Sequence, residues 1–119
     1  MGADFKQGTN LVGKVLASGQ AASGESTVYT VPASSATKVA TAVLCNVSAA
    51  AVTVSVSVVP NGGTVDGTHK VVSGYSLAAG DSTVLSELAG AMLDAGAFIS
   101  INASAGSAID YTFTGVVSS

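Results

Sequence analysis

The sequence has 119 residues and a formal net charge of −3, with four basic residues, seven acidic residues and one histidine. This length suits one domain that can bury a core without disulfides or a metal. All four basic residues are lysines scattered along the chain, which argues against nucleic-acid binding, because that function needs clustered Lys and Arg. Charged residues are 9 % of the chain, against about 25 % in an ordinary soluble domain. The polar surface must therefore come mostly from Ser, Thr, Asn and Gly, a composition typical of proteins that pack against other proteins.

The first segment, residues 1–10, shows no periodicity and carries Phe5 in a polar, glycine-bearing context. It is either a frayed terminus or an N-terminal arm that orders only against a partner, with Phe5 and Lys6 as contact residues. It lacks the apolar stretch of a secretion signal, and no apolar run in the chain approaches the length of a transmembrane helix. We therefore expect synthesis and folding in a cytoplasm, and the lone Cys45 cannot form an internal disulfide.

The rest of the chain, residues 11–119, is predicted to be one domain. Its clearest element is 51–60, AVTVSVSVVP, where valines alternate with hydroxyl side chains, so that one face of a strand is apolar and the other polar. Turn signals recur about every 8–12 residues, the spacing of an antiparallel sandwich or barrel. The predicted strands are 11–18, 25–31, 37–46, 51–60, 68–77, 82–88, 97–103 and 108–117.

Three local details follow from the same patterns. In the second strand, Thr27, Tyr29 and Val31 are predicted to face the core; in the third, period-two alternation groups Val39, Thr41, Val43 and Cys45 on one face. The third and fourth strands are predicted to form a hairpin through 47–50. The helical spacing of Leu85, Leu88 and Met92 predicts a short helical turn over 87–93. No stretch is long enough for crossover helices, so the fold class is all-β: a single antiparallel β-sandwich of about eight strands, jelly-roll or immunoglobulin-like.

Candidate chemistry is sparse. His69 has Asp66 near it in sequence and serines are abundant, but no nucleophile or oxyanion motif accompanies the pair, so we predict no enzyme activity. Cys45 lies in a predicted strand and is expected to behave as a small buried hydrophobe. We predict neither a metal site nor a cofactor, since the acidic residues have turn rather than calcium-loop spacing. Asn46 and Asn102 match the glycosylation pattern by chance in a Ser-rich chain.

Two runs of the sequence carry a resemblance to a family. The run STVYTVPASSATKVATAVLCNVSAAAVTVSVSVVPNGG and the later LAAGDSTVLSELAGAMLDAGAFISINAS resemble small tailed-phage virion proteins, over roughly 26–104. The shared features are a strand ending in YTVPA, a strand ending in CN, an alternating strand and an AGD turn. The resemblance implies a structural protein of a phage particle, decorating the head or belonging to the tail.

The function expected from sequence is therefore a non-enzymatic virion structural protein, foremost a capsid decoration protein on the outside of a tailed-phage head. Its expected partners are the major capsid protein or other virion proteins and further copies of itself, with no nucleic acid and no membrane. One alternative is a minor tail protein of the same kind of particle. Another is a sugar-binding module for host attachment, although the chain has no Trp and few aromatic side chains for a sugar platform.

Overall fold

The computed structural model describes residues 11–65, 69–86 and 88–118. The domain is a β-sandwich of two antiparallel sheets, as predicted. Sheet A has the strand order β1-β9-β3-β6, with β7 also paired to β3, and sheet B has the order β2-β8-β4-β5. The strands are β1 Leu11–Gln20, β2 Gly24–Thr30, β3 Ala36–Asn46, β4 Val52–Val59, β5 Lys70–Leu77, β6 Ser82–Val84, β7 Met92–Leu93, β8 Phe98–Ala103 and β9 Ile109–Ser118.

The strand order identifies the topology as a jelly roll. Most connections cross from one sheet to the other, so β1 pairs with β9 in sheet A while β2 pairs with β8 directly across in sheet B. Apart from the two-residue β7, this leaves eight strands in two nested Greek keys, the arrangement that defines a jelly roll. Of the two sandwich types expected from sequence, the immunoglobulin-like one is therefore excluded.

The core lies between the two sheets and is built from side chains of modest size. Val52, Val54 and Val56 of β4 are buried, which confirms the apolar face predicted from the alternation in this strand. Across the core, Phe113 and Leu44 of sheet A are also fully buried. Burial of one such side chain contributes about 1.5–3 kcal/mol. The stability of the core therefore comes from many aliphatic side chains rather than from a few large aromatic ones.

The predicted hairpin between the third and fourth strands is wrong, because β3 lies in sheet A and β4 in sheet B. The corner at 47–50 is held by the buried Asn46. Its Nδ2 donates to the carbonyl oxygens of Ala50 at 2.8 Å and Leu77 at 2.9 Å. Its Oδ1 accepts from the backbone N–H of Ser48 at 2.9 Å, closing an Asx-turn. The side chain thus ties the end of β3 to the corner at 47–50 and to the end of β5.

The helical turn predicted for 87–93 is also wrong for the residues described there. The Leu88 N–H donates to the Leu85 carbonyl at 3.1 Å and the Ala89 N–H to the Ser86 carbonyl at 3.2 Å, but these turns do not continue as a helix, because Gly90 adopts a positive φ of 84° and β7 follows. Leu85 and Leu88 are buried, whereas Met92 points outward and is 49 % exposed. Leu85 and Leu88 have helical spacing because consecutive turns, rather than a helix, bring both into the core.

In sheet A, β-bulges in β1 and β3 flank one point of the central strand β9. The pairing of β3 with β9 shifts between Val39 and Thr41, and that of β1 with β9 shifts between Val15 and Ala17. The shift in β3 lies beside Gly115 and that in β1 lies one residue further along β9. An added Cβ at Gly115 would stand 2.1 Å from the Lys38 carbonyl oxygen and 3.0 Å from Cδ1 of Leu16, so the β3 backbone and this side chain leave no room for a side chain here.

The bulge in β3 overturns the predicted grouping of its side chains. Val39 is buried, but Thr41 and the alternate residues after it, Val43 and Cys45, face outward. The core face continues instead through Ala42 and Leu44. A bulge adds one residue to one strand, so everything beyond it changes face.

A third bulge, between Thr27 and Tyr29, corrects the prediction for β2 in the same way. Thr27 pairs with Ser100 on the outside of sheet B. Tyr29 faces inward as predicted, with its hydroxyl 2.8 Å from the Thr37 hydroxyl, and Val31 is buried.

Gly115→Ala is expected to destabilise the domain by about 3 kcal/mol or more, because the new methyl group would collide with backbone rather than with a movable side chain. Gly13→Ala is the matched control: it lies in the adjacent strand, and nothing is within 4 Å of its added Cβ. The control should change stability by less than about 1 kcal/mol. Urea unfolding of both variants measures the difference, and equal costs would refute the close approach at Gly115.

Asn46→Ala is expected to lower the free energy of unfolding by about 3 kcal/mol or more, because it removes the side-chain hydrogen bonds that hold the corner and leaves the buried Leu77 carbonyl without this donor. Asn61→Ala is its control, since Asn61 is exposed and its amide makes no hydrogen bond within the described residues. Thermal and urea unfolding measure both changes. A cost for Asn46→Ala as small as that of the control would show that the corner does not depend on this side chain.

Candidate functional surfaces

The outward side of sheet A is a broad surface of β-branched side chains, here called the apolar face. Its large apolar members are strongly exposed for their type: Val15 is 54 % exposed, Val84 61 % and Met92 49 %. The pairing register places the members in rows across β1, β9, β3 and the two short strands. They are Val15, Ser18, Gln20, Lys38, Thr41, Val43, Cys45, Ser82, Val84, Met92, Asp110, Thr112, Thr114 and Val116.

Lys38 and Asp110 are the charged side chains of this face among the described strand residues. Lys38 pairs with Val116 at one end of the sheet, and Asp110 pairs with Cys45 at the other. The two rows are six residue steps apart along β9, from Asp110 to Val116, or about 20 Å at the rise of an extended strand. The Asp110 carboxylate accepts from Gln20 Nε2 at 2.9 Å, which fixes it at its end of the face. Between the two charges the surface is neutral.

Hydroxyl groups on the apolar face bond to each other across strands. Thr41 and Thr114, which pair between β3 and β9, share a hydrogen bond between their side-chain hydroxyls. Paired threonines present their methyl groups to solvent while their polar atoms are satisfied. This makes the middle of the face more apolar than its composition indicates.

The outward side of sheet B is different: it is polar, and its centre is a hydrogen-bonded cluster. The Ser100 hydroxyl bonds to the Glu25 carboxylate and also lies 3.0 Å from the Ser26 carbonyl oxygen. Asn102 Nδ2 donates to the other Glu25 oxygen at 3.3 Å. Ser100 and its cross-strand partner Ser57 are buried, although sequence alternation placed the hydroxyls of this stretch on a wet face.

This cluster ties β2 to β8. A serine nucleophile must be accessible to substrate and paired with a base that can take its proton. Ser100 is 0 % exposed, and its hydroxyl is directed at one exposed carboxylate and one backbone carbonyl. The arrangement therefore joins two strands and presents no accessible nucleophile.

A half-open cleft of about 330 Å³ lies at one end of the sandwich, between the β4–β5 and β7–β8 connections. Asn61 occupies the turn closed by the Gly63 N–H and the Pro60 carbonyl at 2.9 Å. Its side chain lies so close over Gly96 that an added Cβ there would be 2.5 Å from the Asn61 Cγ. The lining is Val58, Pro60, Asn61, Met92, Leu93, Asp94 and Ala97. An amide and a carboxylate on apolar walls provide few groups to orient a ligand.

The structure describes only some of the candidate residues named from sequence. His69 is partly buried, with Nδ1 2.9 Å from the Thr64 carbonyl oxygen, while Asp66 lies outside the described residues. Cys45 faces outward on the apolar face and is only partly buried, so the expectation of a buried thiol is wrong. Phe5 and Lys6, with the rest of the arm, also lie outside the described residues. No three His, Cys, Asp or Glu side chains in the described part of the chain are grouped to hold a metal ion.

The two asparagines of the glycosylation pattern serve local structure. Asn46 is 0 % exposed and uses both amide hydrogens within the corner. Asn102 is exposed but donates to Glu25. Neither role was visible in the sequence, where the match depends only on spacing.

Within the described residues, the aromatic side chains do not form a platform on either outer face. Tyr111 and Phe113 stack at a tilt, with ring centroids 5.6 Å apart, on the core side of β9. Tyr75, at 45 %, is the most exposed aromatic side chain in the described part of the chain. This agrees with the weak sugar-binding signal of the sequence.

Comparisons with known proteins add no relative: no protein-family model, no curated protein and no solved structure matches the chain. Within the described residues, no helix has the length and apolar character needed to cross a membrane.

Ser100→Ala is expected to cost about 1–2 kcal/mol of stability, because it removes a buried hydroxyl that bonds to a carboxylate. Asn102→Ala, which removes an exposed and longer bond to the same carboxylate, should cost less than about 0.5 kcal/mol. Urea unfolding of both variants tests whether the cluster stabilises the contact between β2 and β8. Equal small costs would mean that it does not.

Proposed function

We propose that the chain is a non-enzymatic structural protein of a tailed-phage particle, acting as a capsid decoration protein on the outside of the head. The observation that carries this proposal is the apolar face. Exposed Val15, Val84 and Met92 and the hydrogen-bonded pair of Thr41 and Thr114 lie on the outer side of one sheet of a low-charge domain, and exposed apolar surface of this kind marks sites that bind other proteins. The two sequence runs within 26–104 that resemble tailed-phage virion proteins are the reason for proposing a phage particle as the assembly.

The jelly roll is compatible with this proposal but does not select it. Viral capsid domains, lectins and cupins share the architecture, so function must be argued from surfaces rather than from the fold. The contrast between the two outer sides is informative here. Sheet A presents an apolar surface with two charges, and sheet B presents serines, an asparagine and a glutamate that bond to one another. The contrast makes the outer side of sheet A the one suited to contact with another protein.

A sugar-binding module for host attachment is the second candidate, and the polar side of sheet B favours it. Its exposed hydroxyl and amide groups, with the half-exposed Tyr75 near one edge, could bond to sugar hydroxyls. Much of this polarity is already used within the cluster around Glu25, however, which leaves few donors and acceptors for a ligand.

Localisation on particles tests the proposal. Purified chain carrying a gold label is mixed with heads produced without it and with intact tails, then sedimented and imaged in negative stain. Saturable labelling of head surfaces is the expected result. Labelling confined to tails would transfer the chain to the minor tail class.

A glycan array probed with the same labelled protein tests the other candidate. We expect no glycan to bind at micromolar protein. Specific glycan binding together with unlabelled heads and tails would replace the virion proposal by host attachment.

A further inference from the structure

We infer that the apolar face is a two-fold symmetric interface with a second copy of this chain. The inference rests on the proposed function only in treating this face as an assembly surface; with the face buried between two copies, the dimer would contact the head through its other surfaces. Its support is the self-complementary placement of charge on the face, together with its size.

The size of the face fits a modest dimer. Strands of ten residues are about 33 Å long, and four strands span about 19 Å, so the face measures about 600 Å². Two such faces would bury about 1,200 Å² in total, at the lower end of specific protein–protein interfaces. A dimer in the micromolar range is therefore expected rather than an obligate one.

The side chains of the face have little to lose on association. Valine and threonine are restricted at χ1 already, so burying them costs less conformational entropy than burying long side chains. The hydroxyls of Thr41 and Thr114 are bonded to each other, so only one of their two O–H donors needs a new partner when water is removed. Val15, Val84 and Met92, each about half exposed, would supply the apolar contact.

Charge complementarity indicates a second copy as the occupant. A two-fold axis that runs across the strands, through the middle of the face, exchanges the two ends of the sheet. It places the Lys38 row of one copy on the Asp110 row of the other. Lys38 and Asp110 lie on adjacent strands, β3 and β9, so across the interface they would be offset sideways by one strand spacing, about 4.8 Å, with the long lysine side chain spanning the gap between the sheets. Each charge of the face would then have one partner of opposite sign on the other copy, and the two-fold symmetry would make two equivalent pairs, as in an isologous contact.

Sedimentation velocity of the full chain, from about 1 to about 300 µM, tests the association itself. A monomer–dimer equilibrium with a micromolar Kd is the expected result. A chain that stays monomeric across this range overturns the inference.

Charge reversal tests the arrangement of the two copies. Lys38→Glu and Asp110→Lys should each raise the dimer Kd about tenfold or more, because each places like charges together at both ends of the interface. The double variant should return the Kd to near the unmodified value. Lys14→Glu is the control: Lys14 is exposed in β1 but pairs with Gly115 on the opposite side of sheet A, and its reversal should leave the Kd unchanged. Failure of the double variant to recover, or an equal effect of the control, overturns the inference.

Val84→Asp tests the apolar contact and should abolish the dimer at the same concentrations. Val47→Asp is matched in exposure, at 51 % against 61 %, and lies in the corner between the sheets, so it should dimerise normally. Circular dichroism and thermal unfolding confirm that each variant is folded. Dimers that survive Val84→Asp overturn the inference.

The two proposals fail separately. A monomer that labels phage heads overturns only the dimer, whereas a dimer that labels neither heads nor tails overturns only the virion assignment.

Discussion

The close approach of β3 to Gly115 decides which side chains the protein shows to its surroundings. At this point the backbones of β1 and β3 bulge on both sides of β9, and the Lys38 carbonyl occupies the space where a side chain would stand. Because a bulge reverses the faces of all residues beyond it, Val39 can share the core with Ala42 and Leu44. Without it, Lys38 would lie on the same side as the buried Leu44. One small residue thus permits both a continuous core and a charged side chain at one end of the apolar face.

The protein solves the problem of a surface with few charges in two different ways. On sheet B, polar side chains bond to each other, as in the cluster of Glu25, Ser100 and Asn102, and even the central serines are removed from water. On sheet A, threonine hydroxyls pair across strands and leave methyl groups and valines at the surface. The first solution gives a side that is satisfied in isolation. The second gives a side whose burial against another surface lowers the free energy.

The sequence predicted what depends on local alternation and failed where the chain changes phase or sheet. The valines of β4 alternate without interruption, and their face, the all-β class and the approximate number of strands follow directly from such patterns. A bulge leaves no compositional mark, so the outward turn of Thr41 and Cys45 could not be inferred; Gly115 was the one available hint. The residues after Asn46 predicted a turn but did not indicate which sheet the next strand would join. That destination depends on a carbonyl thirty-one residues away, at Leu77.

The edges of the sheets explain why association through a face is the more plausible route. β1 is the long edge strand of sheet A, and an unprotected edge of this length would pair with another strand. It carries Lys14 and a bulge between Val15 and Ala17, both of which are devices that oppose edge-to-edge pairing. The opposite edge is divided between β6 and β7, of three and two residues, which are too short to template a partner. With its edges protected in this way, sheet A can still bury apolar surface through its flat side, where Val84 and Val15 are exposed and the charges lie at the two ends.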